Sequence, residues 1–358
     1  MAWIRQKEVR PVHKHGGDIY RNQGLVDYSA NINFRGMPES VRQAAKDAID
    51  ASVWYPDPQC EELKAAIAEK EGVPAEWIFC GNGAADVIFS LMLAVKPQKA
   101  LLPVPSFYEY RQALESVDCK IREIVLKEEE GFCLQESFVD EISADTDMVC
   151  LCNPNNPTGQ LIDQKRLERI AARCQETGTY LFLDECFHDF LEAGGAHTLL
   201  PQVKENQKVF VLRAFTKMYG MAGLRLGYGI CSDTDLIRRM EQVTQPWNVS
   251  VPAQAAGIAA AKEQEFVAVS RQKIAEQKKL LLAGLEVAGL KVYGSAANYI
   301  FFRAEPGFDT RMYRAGFMVR NCGNYDGLTE GFYRIAVRGE ADNRTFLQAL
   351  QDLEHREG

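Results

Sequence analysis

Short, continuous apolar runs recur along the first two thirds of the chain, and the segments between them carry apolar residues at helical spacing. Such runs predict buried strands, and the segments between them predict amphipathic helices. We predict strands near Trp77 to Cys80, Ala100 to Val104, Met148 to Cys152, Tyr180 to Leu183, Val209 to Phe215 and Leu226 to Cys231. Because alternating strands and helices build a sheet covered on both faces, the pattern predicts a mostly parallel, doubly wound α/β domain.

Helices are predicted before and between these strands. Pro38 opens a helical stretch, PESVRQAAKDAIDA, and a second helix follows from about Pro58 to Glu71. A third runs from Asp163 to Glu176.

The pattern changes near residue 245, where a long helical stretch from Pro252 to Ala288 begins the last part of the chain. Short strands near Tyr299 to Arg303, Phe317 to Arg320 and Phe332 to Val337 precede a closing helix. This order predicts a smaller α+β domain. We therefore expect a large domain at residues 37–245 and a second unit formed by an N-terminal arm, 1–36, with the C-terminal part, 246–358.

Lys217 is surrounded by apolar residues and glycines in the run RAFTKMYGMAGLRLGY. Burial lowers the pKa of a lysine amine, and only the neutral amine attacks a carbonyl. Arg225 offers a fork of donors for a phosphate, and Thr216 adds a hydroxyl. The combination suggests pyridoxal phosphate (PLP), although a strand with a lysine that reaches solvent and a surface arginine would give the same segment.

Two further segments favour the PLP interpretation. The strand MVCLC runs into NPNNPTG, a turn that presents side-chain amides, and YLFLDEC ends another apolar strand at Asp184. Open α/β sheets place their ligand chemistry at the carboxyl ends of their strands.

Asn156 in NNPTG, Asp184 in LDE, and Lys217 with Arg225 in TKxxxxxGLRLGY together resemble the class I and II aminotransferases, which are PLP enzymes of fold-type I. The resemblance covers essentially the whole chain. It implies that Lys217 and Asp184 are catalytic, with Asp184 beside the pyridine nitrogen and Asn156 on the ring oxygen.

The resemblance also assigns the remaining cofactor contacts. Backbone amides of Gly83, Ala84 and Ala85, at a helix N-terminus, would meet the phosphate. Phe107 would stack on the pyridine, with Tyr110 as the alternative. Tyr55 would reach the cofactor of a neighbouring subunit, which implies a homodimer with shared active sites.

Three details complicate this picture. Phe187 stands where relatives often carry a tyrosine, and Ala214 replaces a hydroxyl residue that commonly binds the phosphate. The missing phosphate contact is a loss of about 1 kcal/mol. The string GNGAAD shares two glycines with a dinucleotide fingerprint, but Asp86 occupies its sixth position, so a nicotinamide site is disfavoured.

Substrate contacts are expected from His15 and Asn31 near the amino end and from Arg320 and Arg334 near the carboxyl end. Two arginine forks suit a substrate with two anionic groups. These segments and Phe187 resemble the L-threonine O-3-phosphate decarboxylases of cobalamin biosynthesis more than the histidinol-phosphate aminotransferases. Decarboxylation of a phosphorylated L-amino acid is therefore expected, with transamination as the alternative and a catalytically silent binding module as a third possibility.

Composition sets the remaining expectations. With 358 residues, 46% of them hydrophobic, and a net charge of −8, the chain is typical of a globular protein that does not bind nucleic acid or anionic membranes. No signal peptide or membrane span is apparent, so a cytoplasmic location is expected. The ten cysteines suggest buried thiols, and the pair His13 and His15 is weak evidence for metal, so none is expected.

Overall fold

A computed structural model of the chain describes residues 15–192 and 197–357. The strands are β1 (Val26–Asp27), β2 (Ile78–Gly81), β3 (Lys99–Val104), β4 (Lys120–Val125), β5 (Met148–Cys152), β6 (Tyr180–Asp184), β7 (Val209–Ala214), β8 (Gly227–Ile230), β9 (Lys291–Gly294), β10 (Tyr299–Arg303), β11 (Phe317–Met318), β12 (Arg320–Asn321) and β13 (Phe332–Ala336). The helices are α1 (Glu39–Asp47), α2 (Glu61–Glu71), α3 (Ala84–Val95), α4 (Tyr108–Ser116), α5 (Gln164–Thr177), α6 (Thr234–Val243), α7 (Val251–Ala260), α8 (Gln264–Val287), α9 (Phe308–Arg314) and α10 (Glu340–Glu357).

The central sheet has seven strands in the order β2-β8-β7-β6-β5-β3-β4. Only β8 runs against its neighbours, and it lies antiparallel to both β2 and β7. Strands β2, β5, β7 and β8 are buried along their whole length, as continuous apolar runs require. The prediction of a mostly parallel sheet covered by helices is confirmed.

Strand β4 was not among the predicted strands. It pairs with β3 along its whole length at the edge of the sheet, and most of its residues are exposed. Its sequence, KIREIV, is half charged, which is common for edge strands and hides the apolar run on which the prediction relied.

Helix α5 shows how local sequence sets an element. The Asp163 side chain caps it by accepting hydrogen bonds from the backbone N–H groups of Lys165 and Arg166. Gly178 ends it in the left-handed conformation, at φ 76°. The buried residues recur at helical spacing and face the sheet: Leu167, Ile170, Ala171 and Cys174.

The second sheet is antiparallel, with the order β12-β13-β10-β9, and β11 pairs separately with β1. The long helical stretch predicted from 252 to 288 is two helices, α7 and α8, and the predicted strand 317–320 is divided between β11 and β12. Helix α7 packs against α1 and α2, beside the large sheet. The domain boundary near residue 245 stays a prediction.

No helix within the two described ranges is long and apolar enough to cross a membrane. All ten cysteines are free thiols, and most are buried, as predicted.

Candidate active site

A cavity of about 270 Å³ lies where the carboxyl ends of β5, β6 and β7 face the antiparallel sheet. It collects residues that are far apart in sequence. The predicted residues that line it are His15, Asn31, Ala84, Ala85, Phe107, Asn156, Asp184, Thr216, Lys217, Arg225, Arg320 and Arg334. The structure therefore brings together almost the whole predicted set.

Lys217 lies three residues beyond β7, and its side chain enters this cavity. Its backbone carbonyl accepts a hydrogen bond from the Asn33 backbone N–H, at 3.0 Å, which fixes the segment against the N-terminal region. Burial lowers the pKa of Lys217 to about 8, and the positive charges of Arg334 and Arg225 act in the same direction. A substantial fraction of the amine is therefore neutral near pH 8.

This pKa predicts how the lysine reacts with an aldehyde. Only the neutral amine attacks the aldehyde. The rate of PLP capture by the cofactor-free protein should therefore rise about threefold to tenfold between pH 7 and pH 8, and it should level off at higher pH. Stopped-flow absorbance would measure this rate. A midpoint near the ordinary lysine value of 10.5 would contradict the prediction.

Arg225 and the first turn of α3 form a cradle for an anion. The amide N–H groups of the first turn of a helix have no acceptor within the helix, and those of Ala84 and Ala85 border the cavity. A Cβ atom on Gly83, which has φ +84°, would lie 2.2 Å from the Arg225 guanidinium. A side chain here would therefore have to displace the arginine, and the backbone conformation itself favours glycine. Gly227 likewise allows β8 to approach the Ala84 backbone.

A variant with Gly83 replaced by alanine tests the cradle. The new methyl group must displace the Arg225 guanidinium, so we expect a loss of about 1.5–3 kcal/mol in PLP affinity, or roughly 10- to 150-fold in Kd. Gly24→Ala is the matched control, because Gly24 has φ +82° but no atom within 4 Å of its Cβ position. If both variants weaken PLP binding equally, backbone strain and not the arginine is responsible.

Asp86 has a structural role in the same turn. Its carboxylate accepts hydrogen bonds from the Asn82 backbone N–H and the Asn248 side-chain amide, both at 2.8 Å. These contacts hold the loop before α3.

Asp184 is the last residue of β6, and its side chain is buried at the floor of the cavity. Tyr110 donates a hydrogen bond to its Oδ2 atom at 2.6 Å, and the Cys186 backbone N–H donates to Oδ1 at 2.8 Å. Burial nevertheless raises the pKa of Asp184. A cation placed against this carboxylate would reverse that shift, so the position favours a positively charged ligand atom.

Phe107 precedes α4 and Tyr110 lies one turn later. Their rings meet edge to face, with centroids 5.5 Å apart. Because Tyr110 is fully buried and its hydroxyl is committed to Asp184, Phe107 remains the better candidate for stacking on a flat ligand.

The Asn156 side chain extends from the turn after β5 toward β13. Its Oδ1 atom accepts hydrogen bonds from Arg334 and, at 3.4 Å, from the Tyr325 hydroxyl. The amide NH₂ group is therefore the end that can donate to a ligand. Arg334 also donates to the Ser29 carbonyl at 2.8 Å, which ties β13 to the N-terminal region.

Arg320 and Arg334 lie directly opposite each other on the antiparallel strands β12 and β13. Both are buried, and both line the cavity. Like charges at directly opposed positions destabilise a sheet unless a negative charge lies between them. Arg334 Nε is buried without a hydrogen-bond partner in the described structure, as is Asn31 Oδ1. The two guanidinium groups, and the unpartnered Nε–H of Arg334 in particular, offer donors that suit an anion.

Several lining residues carried no local sequence signal. Glu109 enters the cavity from α4, Ser29 and Ala30 enter from the segment after β1, and Tyr325 follows β12. Each lies in an ordinary helix or loop sequence. Only the tertiary fold brings these residues to the cavity.

Gly83 is not among the lining residues but adjoins Ala84, whereas Tyr55 lies away from the cavity of its own chain. Its side chain is 76% exposed and stacks on Trp247, with ring centroids 4.3 Å apart. The predicted contact of Tyr55 with a cofactor thus requires a second subunit. Phe187 and Ala214, the two departures from the family pattern, do line the cavity.

His13, which with His15 was weak evidence for metal, lies outside the described residues. His15 instead lies 3.4 Å from Glu109. Within residues 15–192 and 197–357, no group of three potential metal ligands occurs.

Comparison with known proteins places this site in a family. The profile of the aminotransferases of class I and II matches residues 23–350. A threonine-phosphate decarboxylase from Salmonella typhimurium is 37% identical over 353 residues, which cover 95% of this chain and 96% of that protein. A histidinol-phosphate aminotransferase from Cupriavidus pinatubonensis is 32% identical, covering 92% of this chain and 88% of its own length.

Solved structures of the same two kinds of enzyme have a similar fold. Histidinol-phosphate aminotransferase from Clostridium acetobutylicum has a TM-score of 0.87 at 28% identity, over 93% of this chain and 100% of that one. L-threonine-O-3-phosphate decarboxylase from Porphyromonas gingivalis, at 21% identity, shares the fold with a TM-score of 0.81, over 92% of this chain and 100% of that one. The fold and cavity therefore define a PLP-dependent enzyme of fold-type I. The chain belongs to the class I and II aminotransferase family, and its cofactor is PLP.

The residues present fit this cofactor. The cradle at Gly83 and Arg225 suits its phosphate, the buried Asp184 carboxylate suits a protonated pyridine nitrogen, and the Lys217 amine suits its aldehyde. The sequence-based predictions of family, fold class and cofactor are confirmed. The roles of individual residues stay predictions.

Proposed function

We propose that this enzyme decarboxylates a small phosphorylated L-amino acid, with L-threonine O-3-phosphate as the best candidate. The observation that carries the proposal is the opposed pair Arg320 and Arg334 in one cavity with Lys217. The pair provides two guanidinium forks, and a phosphorylated amino acid has two anionic groups, phosphate and carboxylate. The 37% identity to a threonine-phosphate decarboxylase supports the same choice.

The chain's own residues divide the work. PLP, when bound, accepts the electron pair that the departing carboxylate leaves on the substrate carbon. Asp184 would stabilise the positive charge of the protonated pyridine nitrogen of PLP. Arg320, Arg334 and Asn31 would hold the anionic groups of the substrate, so that the bond to its carboxylate is oriented for cleavage.

Lys217 supplies the proton that completes the reaction. After carbon dioxide leaves, the substrate carbon needs one proton. Lys217 Nζ would deliver it, because a pKa of about 8 allows this amine to bind and release a proton near neutral pH. Phe107, Phe187 and Tyr325 line the same cavity, and their rings would limit the access of water to this carbon.

Transamination of the histidinol-phosphate type is the second candidate. A relative with this name is 32% identical over 338 residues, which cover 92% of this chain. Histidinol phosphate carries one anionic group, so it would use only one of the two arginines, whereas a dicarboxylic amino-group acceptor would use both. The same anchors would then present a C–H bond, not a C–C bond, to Lys217.

One experiment separates the two functions. The enzyme with PLP is incubated with L-threonine O-3-phosphate, and separately with histidinol phosphate plus 2-oxoglutarate, and carbon dioxide and glutamate are measured. We expect carbon dioxide from the first mixture. Glutamate from the second, with no carbon dioxide from the first, would establish transamination and contradict the proposal.

We also propose that the enzyme is a homodimer in which Tyr55 of each chain completes the other active site. Ile49, Val53, Trp54 and Trp247 are exposed around Tyr55, and large apolar side chains grouped in this way favour a protein interface. Sedimentation of the wild type should show the mass of a dimer. Tyr55→Phe should weaken PLP binding but leave the dimer intact.

Removal of one arginine tests the anion site. Arg320→Ala should raise KM for L-threonine O-3-phosphate strongly and cost about 2–4 kcal/mol in kcat/KM, or roughly 30- to 900-fold. PLP binding should stay within about twofold. Arg338→Ala is the control, since Arg338 pairs with Asp342 and lies outside the cavity lining. An equal loss in both variants would argue against a specific anion site.

A further inference from the structure

Glu109 is a carboxylate inside a cavity that we assign to anionic substrates. It lies in the first turn of α4, and its side chain is only 15% exposed. Its Oε1 atom lies 3.4 Å from His15 Nε2, and Oε2 is buried without a hydrogen-bond partner in the described part of the chain. An ionised carboxylate there would repel the substrate, so its presence needs an explanation.

We infer that Glu109 is a specificity-determining residue that takes up a proton when an anionic substrate enters, and that its protonated form then donates a hydrogen bond to the substrate. This inference rests on the proposed function, because it takes the substrate to be anionic.

The charges around Glu109 allow this uptake of a proton. The groups that face it come from the N-terminal arm, the end of β6, the segment after β7 and the region of β12: His15, Asp184, Lys217, Arg320 and Tyr325. Lys217 and Arg320 favour the ionised carboxylate, whereas burial and Asp184 oppose it. An incoming phosphate beside Arg320 would offset the charge of that arginine. The balance around Glu109 then shifts toward the protonated form.

Glu109 itself is already close to this change. Burial raises the pKa of Glu109 to about 7. Burial lowers the pKa of His15, and the charges of Arg320 and Lys217 act in the same direction, so His15 is the weaker competitor for the proton. At pH 7 about half of the Glu109 side chains are therefore ionised, and substrate binding would protonate that half.

The sign of the pH effect follows. Because binding takes up a proton, affinity for an anion should fall as the pH rises above about 7, by up to tenfold per unit. With Glu109→Gln, which is always neutral and can donate a hydrogen bond, this dependence should flatten.

The test is calorimetric binding to the enzyme with PLP at pH 7, in two buffers of different ionisation enthalpy. The ligand is 3-phosphoglycerate, which carries phosphate and carboxylate but no amine and so cannot react. Inorganic sulfate serves as a second ligand that has no proton to exchange near neutral pH. We expect uptake of up to about half a proton in the wild type with both ligands, a reduction of at least threefold in Glu109→Gln, and retention of at least half of the uptake in His15→Asn.

Three outcomes would overturn the inference: no proton uptake in the wild type, unchanged uptake in Glu109→Gln, or uptake that is lost only in His15→Asn. The wild-type measurement with sulfate stands without any variant, so a Glu109→Gln protein that fails to fold still leaves a test. Failure of the proposed function is a separate result. An enzyme that releases no carbon dioxide from L-threonine O-3-phosphate but takes up the proton contradicts only the proposed function. An enzyme that releases carbon dioxide but takes up no proton on ligand binding contradicts only this inference.

Discussion

Replacement of Lys217 by alanine is expected to abolish turnover, with a fall in kcat of about 10⁴-fold or more. The variant loses two proposed functions of one amine, the attachment of the PLP aldehyde and the delivery of a proton to the substrate carbon. Both functions need an amine that loses and regains a proton near neutral pH, and burial lowers the pKa of Lys217 to about 8. Carbon dioxide release from L-threonine O-3-phosphate measures the loss.

A chemical label tests attachment separately from turnover. Borohydride reduction of the wild-type enzyme with PLP, followed by peptide mass mapping, should place the cofactor on the peptide that contains Lys217. Lys208→Ala is the matched control, because Lys208 lies nine positions earlier in the chain and contacts the Tyr180 ring outside the cavity. Label on another lysine, or normal turnover in Lys217→Ala, would remove Lys217 from its proposed role.

The amino-acid sequence predicts the central sheet and the cofactor side of the cavity well, because local patterns encode both. Asp184 and Lys217 follow strands whose continuous apolar runs are unmistakable, and parallel strands bring their carboxyl ends to one edge. The cradle at Gly83 has a local signal as well, since a left-handed backbone at a helix start favours glycine.

The substrate side was harder to predict because it depends on pairings between distant segments. Arg320 lies on a strand of two residues, too short to give a pattern, and only the register with β13 places it opposite Arg334. Glu109 faces the cavity because of the rotation of α4, which sequence does not give. The edge strand β4 escaped prediction for a related reason, since its charged residues face solvent.

Asp184→Asn is expected to raise the activation barrier by about 3–4 kcal/mol, which lowers kcat roughly 10²- to 10³-fold, while PLP still binds. Asparagine keeps the size of the side chain and removes its charge. Tyr110 can still donate to the amide oxygen, but the second hydrogen bond, from the Cys186 N–H, is lost. Steady-state kinetics with L-threonine O-3-phosphate measures the effect.

The same change should affect stability little. Burial raises the pKa of Asp184, so at pH 8 the ionised carboxylate lowers the stability of the cofactor-free protein, and removing the charge offsets the lost hydrogen bond. We expect the free energy of unfolding without PLP to stay within about 1 kcal/mol of wild type. Urea denaturation at pH 8 provides this value.

Glu185 supplies the contrast, because it is the adjacent carboxylate and is also buried. Its Oε2 atom pairs with Arg213 at 2.8 Å, and Thr198 donates to it as well. Glu185→Gln leaves Arg213 with Glu71 as its remaining carboxylate partner, at 2.6 Å, and should lower the free energy of unfolding by about 1.5–3 kcal/mol through the weakened hydrogen bonds to a charged group. Its effect on kcat should be smaller than that of Asp184→Asn. Near-normal turnover in Asp184→Asn, or a loss of stability as large as that of Glu185→Gln, would show that Asp184 is a structural and not a catalytic carboxylate.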